Sequence, residues 1–80
     1  MIWVIDAKRK NETYELLIKF NDGKESIVNL KNTIENDHRP IIRALLDVNM
    51  FNSFAVKNDT VCWKNGADFA PEFLYEIGSN

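Results

Sequence analysis

The chain has 80 residues, of which 45% are apolar and 28% are charged, and its formal net charge at pH 7 is -2. This length and balance predict one small globular domain, residues 1–80, rather than a disordered segment or two domains. The acidic net charge disfavours a typical non-specific nucleic-acid binder, while one Cys and one His can form neither an intrachain disulfide nor a zinc site alone.

The first third of the chain predicts three strands. Residues 2–7 are rich in β-branched and aromatic side chains, which favours a strand, and the polar run 8–12 favours a turn. Residues 13–20 alternate in polarity, with Tyr14, Leu16, Ile18 and Phe20 on one face. This period of two predicts a strand with one buried face.

The segment Asn21-Asp22-Gly23 predicts a hairpin turn that admits two registers. A two-residue loop would mix apolar and polar residues on the core face. A three-residue loop with a left-handed Gly23 instead places Leu16 opposite Val28. We favour the second register, which also pairs Lys19 with Glu25 on the outer face.

Short helices follow the third strand, which we expect over residues 25–30. Thr33 is the predicted cap of a turn that runs to residue 36, and Pro40 suits the first turn of a helix. That helix carries Ile41, Ile42, Leu45 and Leu46 at helical spacing. Asp47 is predicted to cap a further turn over residues 48–53.

A second hairpin is predicted over residues 55–63. Its two-residue turn is Asn58-Asp59, since both residue types tolerate a positive φ, and the register pairs Val56 with Val61. Residues 64–66 predict a further turn.

The C-terminal segment predicts a last helix from Pro71 to Glu76, with Gly78 as its stop and with Phe73 and Leu74 returning to the core. The whole chain is therefore predicted as α+β, a small antiparallel sheet of about five strands in two hairpin units with short helices. The order is β-β-β-α-(α)-β-β-α.

The stretch from Trp63 to Tyr75 is the most distinctive one, and it has two interpretations. Its residues can be purely structural, with Trp63 as an anchor. Alternatively they form an interaction surface or a groove beside Trp63. The candidates are Trp63, Asn65, Asp68, Glu72 and Tyr75.

Acidic residues dominate the same stretch. Asp68, Glu72 and Glu76 are spaced at i, i+4 and i+8, and no Lys or Arg follows Lys64. A surface for a cation or a basic partner is one interpretation, and a solvated helix face is the more common one.

Basic residues concentrate elsewhere, in Lys8, Arg9 and Lys10 of the predicted first turn, with Arg43 on a predicted helix. A nucleic-acid binder would use such residues for phosphates. Solvated side chains at a hairpin tip are the alternative, and three charges neutralise few phosphates.

A catalytic role for Cys62 would require a base, for which only His38 is available. Nothing else in the pattern supports that pair, so no catalytic, metal-binding or cofactor-binding residue and no cofactor is predicted.

The Asn21-Asp22-Gly23 turn, the segment Leu45-Leu46-Asp47 and the motif Trp-x-Asn-Gly-Ala-Asp-x-x-Pro-x-x-Leu-Tyr from Trp63 to Tyr75 resemble the family catalogued as domain of unknown function 2442. The likeness spans nearly the whole chain, with Val48 and Phe69 standing where Pro and Leu are usual. The resemblance implies a small bacterial α+β domain, sometimes joined to a helix-turn-helix domain or encoded beside a toxin-like protein. It implies no catalytic residues.

Our leading hypothesis is therefore a non-enzymatic, regulatory protein-binding module, the antitoxin-like partner of a toxin-like neighbour, with open strand edges available to a partner. Two alternatives are a nucleic-acid-binding accessory protein and a ligand-binding or enzymatic groove near Trp63. A homodimer through the face of Leu17 and Ile27 stays open. No apolar run reaches the about 18 to 20 residues of a membrane span, and the start of the chain lacks the positive charge of a signal peptide, so we expect a cytoplasmic protein.

Overall fold

A computed structural model describes residues 1–10 and 13–78, and the predicted turn residues 11 and 12 lie outside this description. The predicted α+β class and element order are confirmed. The elements are β1 (Val4–Lys10), β2 (Glu15–Phe20), β3 (Glu25–Asn29), α1 (Lys31–Glu35), α2 (Pro40–Arg43), a 3₁₀ turn (Ala44–Leu46), α3 (Val48–Phe51), β4 (Ala55–Lys57), β5 (Thr60–Cys62) and α4 (Pro71–Ile77).

Strands β1, β2 and β3 form an antiparallel sheet with β2 in the centre. The predicted register of the β2–β3 hairpin is confirmed, because Leu16 pairs with Val28 and Lys19 with Glu25. Gly23 has a φ of 89°, the left-handed conformation that the three-residue loop requires. The turn chemistry thus places the apolar side chains of both strands on one face.

Strand β1 differs from its prediction at both ends. It begins at Val4 rather than at residue 2 and continues to Lys10, so the basic run is not a loop. A bulge falls between Val4, which pairs with Phe20, and Asp6, which pairs with Lys19. The prediction of a turn was wrong because it rested on the polar composition of the run. A strand pairs through its backbone, so polar side chains can lie on its solvent face.

The helical region confirms one predicted cap and corrects the other. The Asp47 carboxylate accepts hydrogen bonds from the backbone N–H groups of Asn49 and Met50 at 2.8 and 3.4 Å. Thr33 is not a cap, because α1 already begins at Lys31. Pro40 occupies the first turn of α2 as predicted, but that helix tightens into the 3₁₀ turn after Arg43.

The second hairpin has the predicted two-residue turn. Asn58 and Asp59 have φ values of 52° and 66°, and Val56 pairs with Val61. The Asp59 carbonyl accepts a hydrogen bond of 2.9 Å from the Val4 N–H. This bond joins the turn of the second hairpin to the start of the outer strand of the first sheet.

The core lies between the inner face of the three-stranded sheet and the helices and second hairpin. Phe73, which was predicted to return to the core, is 36% exposed, whereas its neighbour Leu74 is fully buried. Successive helical residues point about 100° apart, and α4 directs Leu74 toward the core, so Phe73 lies at the margin of the buried face. The buried apolar side chains are Val4, Leu16, Ile18, Phe20, Val28, Leu30, Ile34, Ile42, Leu45, Phe51, Val61, Trp63, Ala67, Phe69 and Leu74.

Helix α4 ends at Ile77, one residue beyond the predicted end at Glu76, and Gly78 follows it as the predicted stop. Gly78 has a φ of -70°, so it is not left-handed. A Cβ atom at this position would lie 2.8 Å from the Cβ atom of Ser26 in β3. The end of α4 therefore packs directly on the sheet. None of the helices in residues 1–10 and 13–78 is long and apolar enough to cross a membrane.

Candidate functional site

Trp63 is an interior anchor. Its side chain is 4% exposed, and its Nε1–H donates a hydrogen bond of 2.9 Å to the Phe51 carbonyl at the end of α3. Its backbone N–H donates to the Ala67 carbonyl, and its carbonyl accepts from the Gly66 N–H, both at 2.9 Å. Gly66, with a φ of 92°, supplies the left-handed residue of this predicted turn. The indole is thus held in the interior, with its N–H already bonded.

Asn65 is a structural bridge within the same turn. Its Nδ2 donates to the Ile41 carbonyl of α2 at 2.9 Å, and its Oδ1 accepts from the Ala67 N–H at 3.0 Å. An Asn is suited to this position because one amide group supplies both a donor and an acceptor. The side chain therefore holds the turn against α2.

Tyr75 lies away from Trp63, at the β2–β3 turn. Its hydroxyl donates to the Asp22 carboxylate at 2.7 Å, and its ring meets the Phe20 ring edge-on, with centroids 4.9 Å apart. The Lys24 ammonium lies 4.6 Å from the Tyr75 ring centroid. The hydroxyl lowers the pKa of Asp22, and the same bond raises the pKa of Tyr75. Tyr75 thus ties α4 to the hairpin.

Asp68 belongs to a different place, a hollow of about 370 Å³ that we call the Asp68 hollow. Phe69 and Phe73 form its aromatic wall, with their rings stacked at a centroid distance of 5.9 Å and an interplanar angle of 25°. Its opposite side comes from α1 and the loop before α2. The lining residues are Thr33, Asp37, Arg39, Asp68, Phe69, Ala70 and Phe73.

An ion pair compensates two of the three charges in the Asp68 hollow. The Arg39 Nε and Nη2 donate to the two carboxylate oxygens of Asp37 at 3.0 and 2.8 Å. These bonds lower the pKa of Asp37 to about 2 and raise the pKa of Arg39. The exposed Asp68 carboxylate takes no hydrogen bond from the part of the chain that the structure describes. Asp68 interacts with the Arg39 guanidinium only electrostatically, and it therefore carries the charge that is left without a direct hydrogen-bonded partner.

Helix α4 extends the aromatic wall along the surface. Phe73 and Ile77, four residues apart, are 36% and 37% exposed, and we call this pair the α4 stripe. Glu72 and Glu76 are exposed on the same helix. Asp68 lies outside α4, in an isolated bridge to Cys62, so the predicted stack of three carboxylates on one helix is reduced to two. The α4 stripe is an apolar surface beside carboxylates.

A second hollow, of about 260 Å³, lies beside Trp63 and Cys62. Its lining is Ser53, Ala55, Lys57, Cys62, Trp63 and Lys64. His38, the only base that the sequence offered to Cys62, does not line this hollow. Tyr75 and Asp68 are also absent from this lining, and the groove predicted from Trp63, Asp68 and Tyr75 is therefore not one hollow. Within residues 1–10 and 13–78, no group of His, Cys, Asp and Glu side chains could hold a metal ion.

The predicted basic residues are divided between faces. Lys8 and Lys10 are exposed and pair across the sheet with Leu17 and Glu15. Arg9 alternates to the opposite face, where its guanidinium donates to the Asn52 side chain and to the Thr13 carbonyl and lies 5.8 Å from the Phe51 ring centroid.

Arg43 is occupied at another place in the fold. Its guanidinium donates to the Glu35 carbonyl, at the end of α1, at 2.7 Å. Two of the four predicted phosphate contacts, Arg9 and Arg43, thus have structural partners.

The sequence interpretation missed that Phe73, Asp37 and Arg39 line the Asp68 hollow. The exposure of Phe73 has no clear sequence signal, because Phe73 and Leu74 are both apolar and only the packing of α4 directs Leu74 inward. The approach of residues 37 and 39 to Asp68 has none, since it depends on how α1 and α2 pack.

Comparison with known proteins agrees with the resemblance of the motif. Residues 4–79 match the model of the family described as protein of unknown function (DUF2442). No curated protein and no solved structure matches the chain. With nearly its whole length covered by that one model, the chain belongs to the DUF2442 family.

Proposed function

We propose that this protein is a non-enzymatic, regulatory protein-binding module whose partner is the toxin-like protein that the family resemblance implies. The observation that carries the proposal is the α4 stripe, an exposed aromatic and aliphatic pair next to carboxylates and continuous with the Asp68 hollow. Exposed apolar side chains with a polar rim are typical of protein contact sites.

The charge around the α4 stripe supports a basic partner surface. Glu72 and Glu76 lie on the helix and Asp68 precedes it, while no Lys or Arg follows Lys64 in the sequence. Complementary charges at the rim accelerate encounter and fix orientation, whereas the buried apolar centre supplies most of the affinity. Phe73 is the natural centre because it is aromatic and borders the hollow.

The outer edge of β1 is a weaker candidate for the partner, although we predicted open strand edges as docking places. β1 contains a bulge, places the charged Arg9 on its inner face and carries Lys8 and Lys10 on its outer face. Bulges, inward charges and lysines are the features by which edge strands avoid pairing with other chains. This gives the basic run a structural role.

The proposal is tested by co-expression of the full chain with the product of the adjacent gene, followed by co-purification and a growth assay. We expect a stable complex that relieves growth inhibition. Phe73→Asp and Ile77→Asp are expected to abolish both effects. The matched controls are Val56→Asp and Leu17→Asp, because those side chains are 36% and 37% exposed but lie on the strands.

Two outcomes would contradict the proposal in different ways. Absence of any complex or growth relief would remove the toxin-like partner and with it the proposed function. A complex that tolerates both α4 substitutions but is lost with a strand control would place the contact elsewhere, for example on the solvent face of the sheet. On that face Leu17 and Ile27 lie opposite each other.

A further inference from the structure

We infer that the Asp68 hollow is a pocket for an arginine side chain of the partner. The inference rests on the proposed function, because it names the chemistry by which the partner is recognised. It is carried by three features of the hollow: one carboxylate without a direct partner, an exposed aromatic ring beside it, and an internal ion pair that leaves the net charge negative.

The charge of the hollow selects a cation. Asp37 and Arg39 neutralise each other through two direct hydrogen bonds, so the pair adds little net charge. Asp68 then leaves the hollow with a formal charge of one negative unit. An incoming carboxylate or phosphate could reach only the Arg39 N–H groups that Asp37 does not occupy, and it would be repelled by Asp68.

The aromatic wall selects a guanidinium over an ammonium. Phe73 exposes 36% of its surface and is stacked on the nearly buried Phe69, so its ring is held in place from one side. A planar guanidinium can stack on that ring while it donates hydrogen bonds to the Asp68 carboxylate. A lysine ammonium is more strongly hydrated and has no planar face to stack.

The occupant is a partner side chain rather than a free metabolite because the hollow continues into the α4 stripe. An arginine in the hollow would place neighbouring apolar residues of a partner helix or loop against Phe73 and Ile77. Arginine and aromatic residues are enriched among the side chains that dominate interface energetics.

The inference is tested on the full chain by NMR titration with N-acetyl-arginine amide, and with N-acetyl-lysine amide as the comparison. We expect saturable shifts of the amides of Asp68, Phe69 and Phe73, with a Kd on the order of millimolar for so small a probe. The lysine probe is expected to bind several-fold more weakly. Asp68→Asn is expected to weaken the arginine probe roughly tenfold.

Two further variants separate the parts of the pocket. Phe73→Leu keeps an apolar side chain but removes the ring, and it is expected to reduce the preference for arginine over lysine to about unity. Glu25→Gln, which removes a carboxylate from the outer face of the sheet, is the control and should change nothing. Equal binding of both probes to the unmodified chain, shifts at other residues, or no saturable shift would overturn the inference.

The failure of this inference is distinguishable from failure of the proposed function. A partner complex that survives Asp68→Asn but not Ile77→Asp would keep the α4 stripe and remove the arginine pocket. Probe binding at the Asp68 hollow without any partner complex would support the arginine pocket and remove the toxin-like partner.

Discussion

Replacement of Trp63 by Phe tests whether the most distinctive motif of the chain serves the interior or a ligand. The substitution removes the indole N–H that donates to the Phe51 carbonyl at 2.9 Å. An unsatisfied buried carbonyl costs about 1 to 3 kcal/mol, and the smaller ring leaves a cavity worth about 1 kcal/mol. We therefore expect the free energy of unfolding to fall by about 2 to 4 kcal/mol.

The assay is urea unfolding followed by circular dichroism, with Trp3→Phe as the matched control. Trp3 is 39% exposed and Trp63 is 4% exposed, so the same chemical change should cost less than about 0.5 kcal/mol at Trp3. The fluorescence of the Trp63→Phe protein should be red-shifted, because only the exposed indole remains. Equal losses for the two variants, or a loss below about 1 kcal/mol for Trp63→Phe, would refute the anchoring role.

Three further predictions concern stability. Gly78→Ala is expected to lower the free energy of unfolding by about 1 to 3 kcal/mol, because the new Cβ atom would lie 2.8 Å from the Cβ atom of Ser26. In a double-mutant cycle, the addition of Ser26→Gly should recover part of this loss. Asn65→Ala should lower the melting temperature by the equivalent of about 1 to 2 kcal/mol, since two hydrogen bonds are lost, and an unchanged melting temperature would contradict the bridging role. The lowered pKa of Asp37 predicts a contribution to the free energy of unfolding that is fully present above the unfolded pKa of about 3.9 and is lost as the pH falls towards about 2. When unfolding is measured against pH, the free energy of unfolding of Asp37→Asn should decline less over this range, because Arg39 then has no carboxylate partner.

Local chemistry is sufficient to predict the turns and most of the pairing. Gly23 and the Asn58-Asp59 pair adopt the positive φ values that their positions in the sequence indicate, and the register of each hairpin follows from loop length. Asp47 caps its helix because its carboxylate reaches N–H groups only two and three residues away. Such features depend on neighbours along the chain.

The predictions that were wrong concern residues whose partners lie far away in the sequence. The basic run is part of β1 because its residues pair with β2. The guanidinium of Arg9 donates a hydrogen bond to the side chain of Asn52, 43 residues away. Tyr75 does not belong to the predicted interaction surface around Trp63, because its hydroxyl donates a hydrogen bond to Asp22, 53 residues away. A period of two or of 3.6 contains no information about such partners.

The candidate site shows the same division. The amino-acid sequence by itself determined the family, the α+β order, the structural turn after Trp63 and the acidic character of the C-terminal stretch. Only the tertiary structure decided that Asp37 neutralises Arg39 beside Asp68 and that Phe73 faces outward at the same hollow. The physical reason is that charge and apolarity belong to single residues, whereas a binding surface depends on which side chains remain uncompensated after the helices have packed.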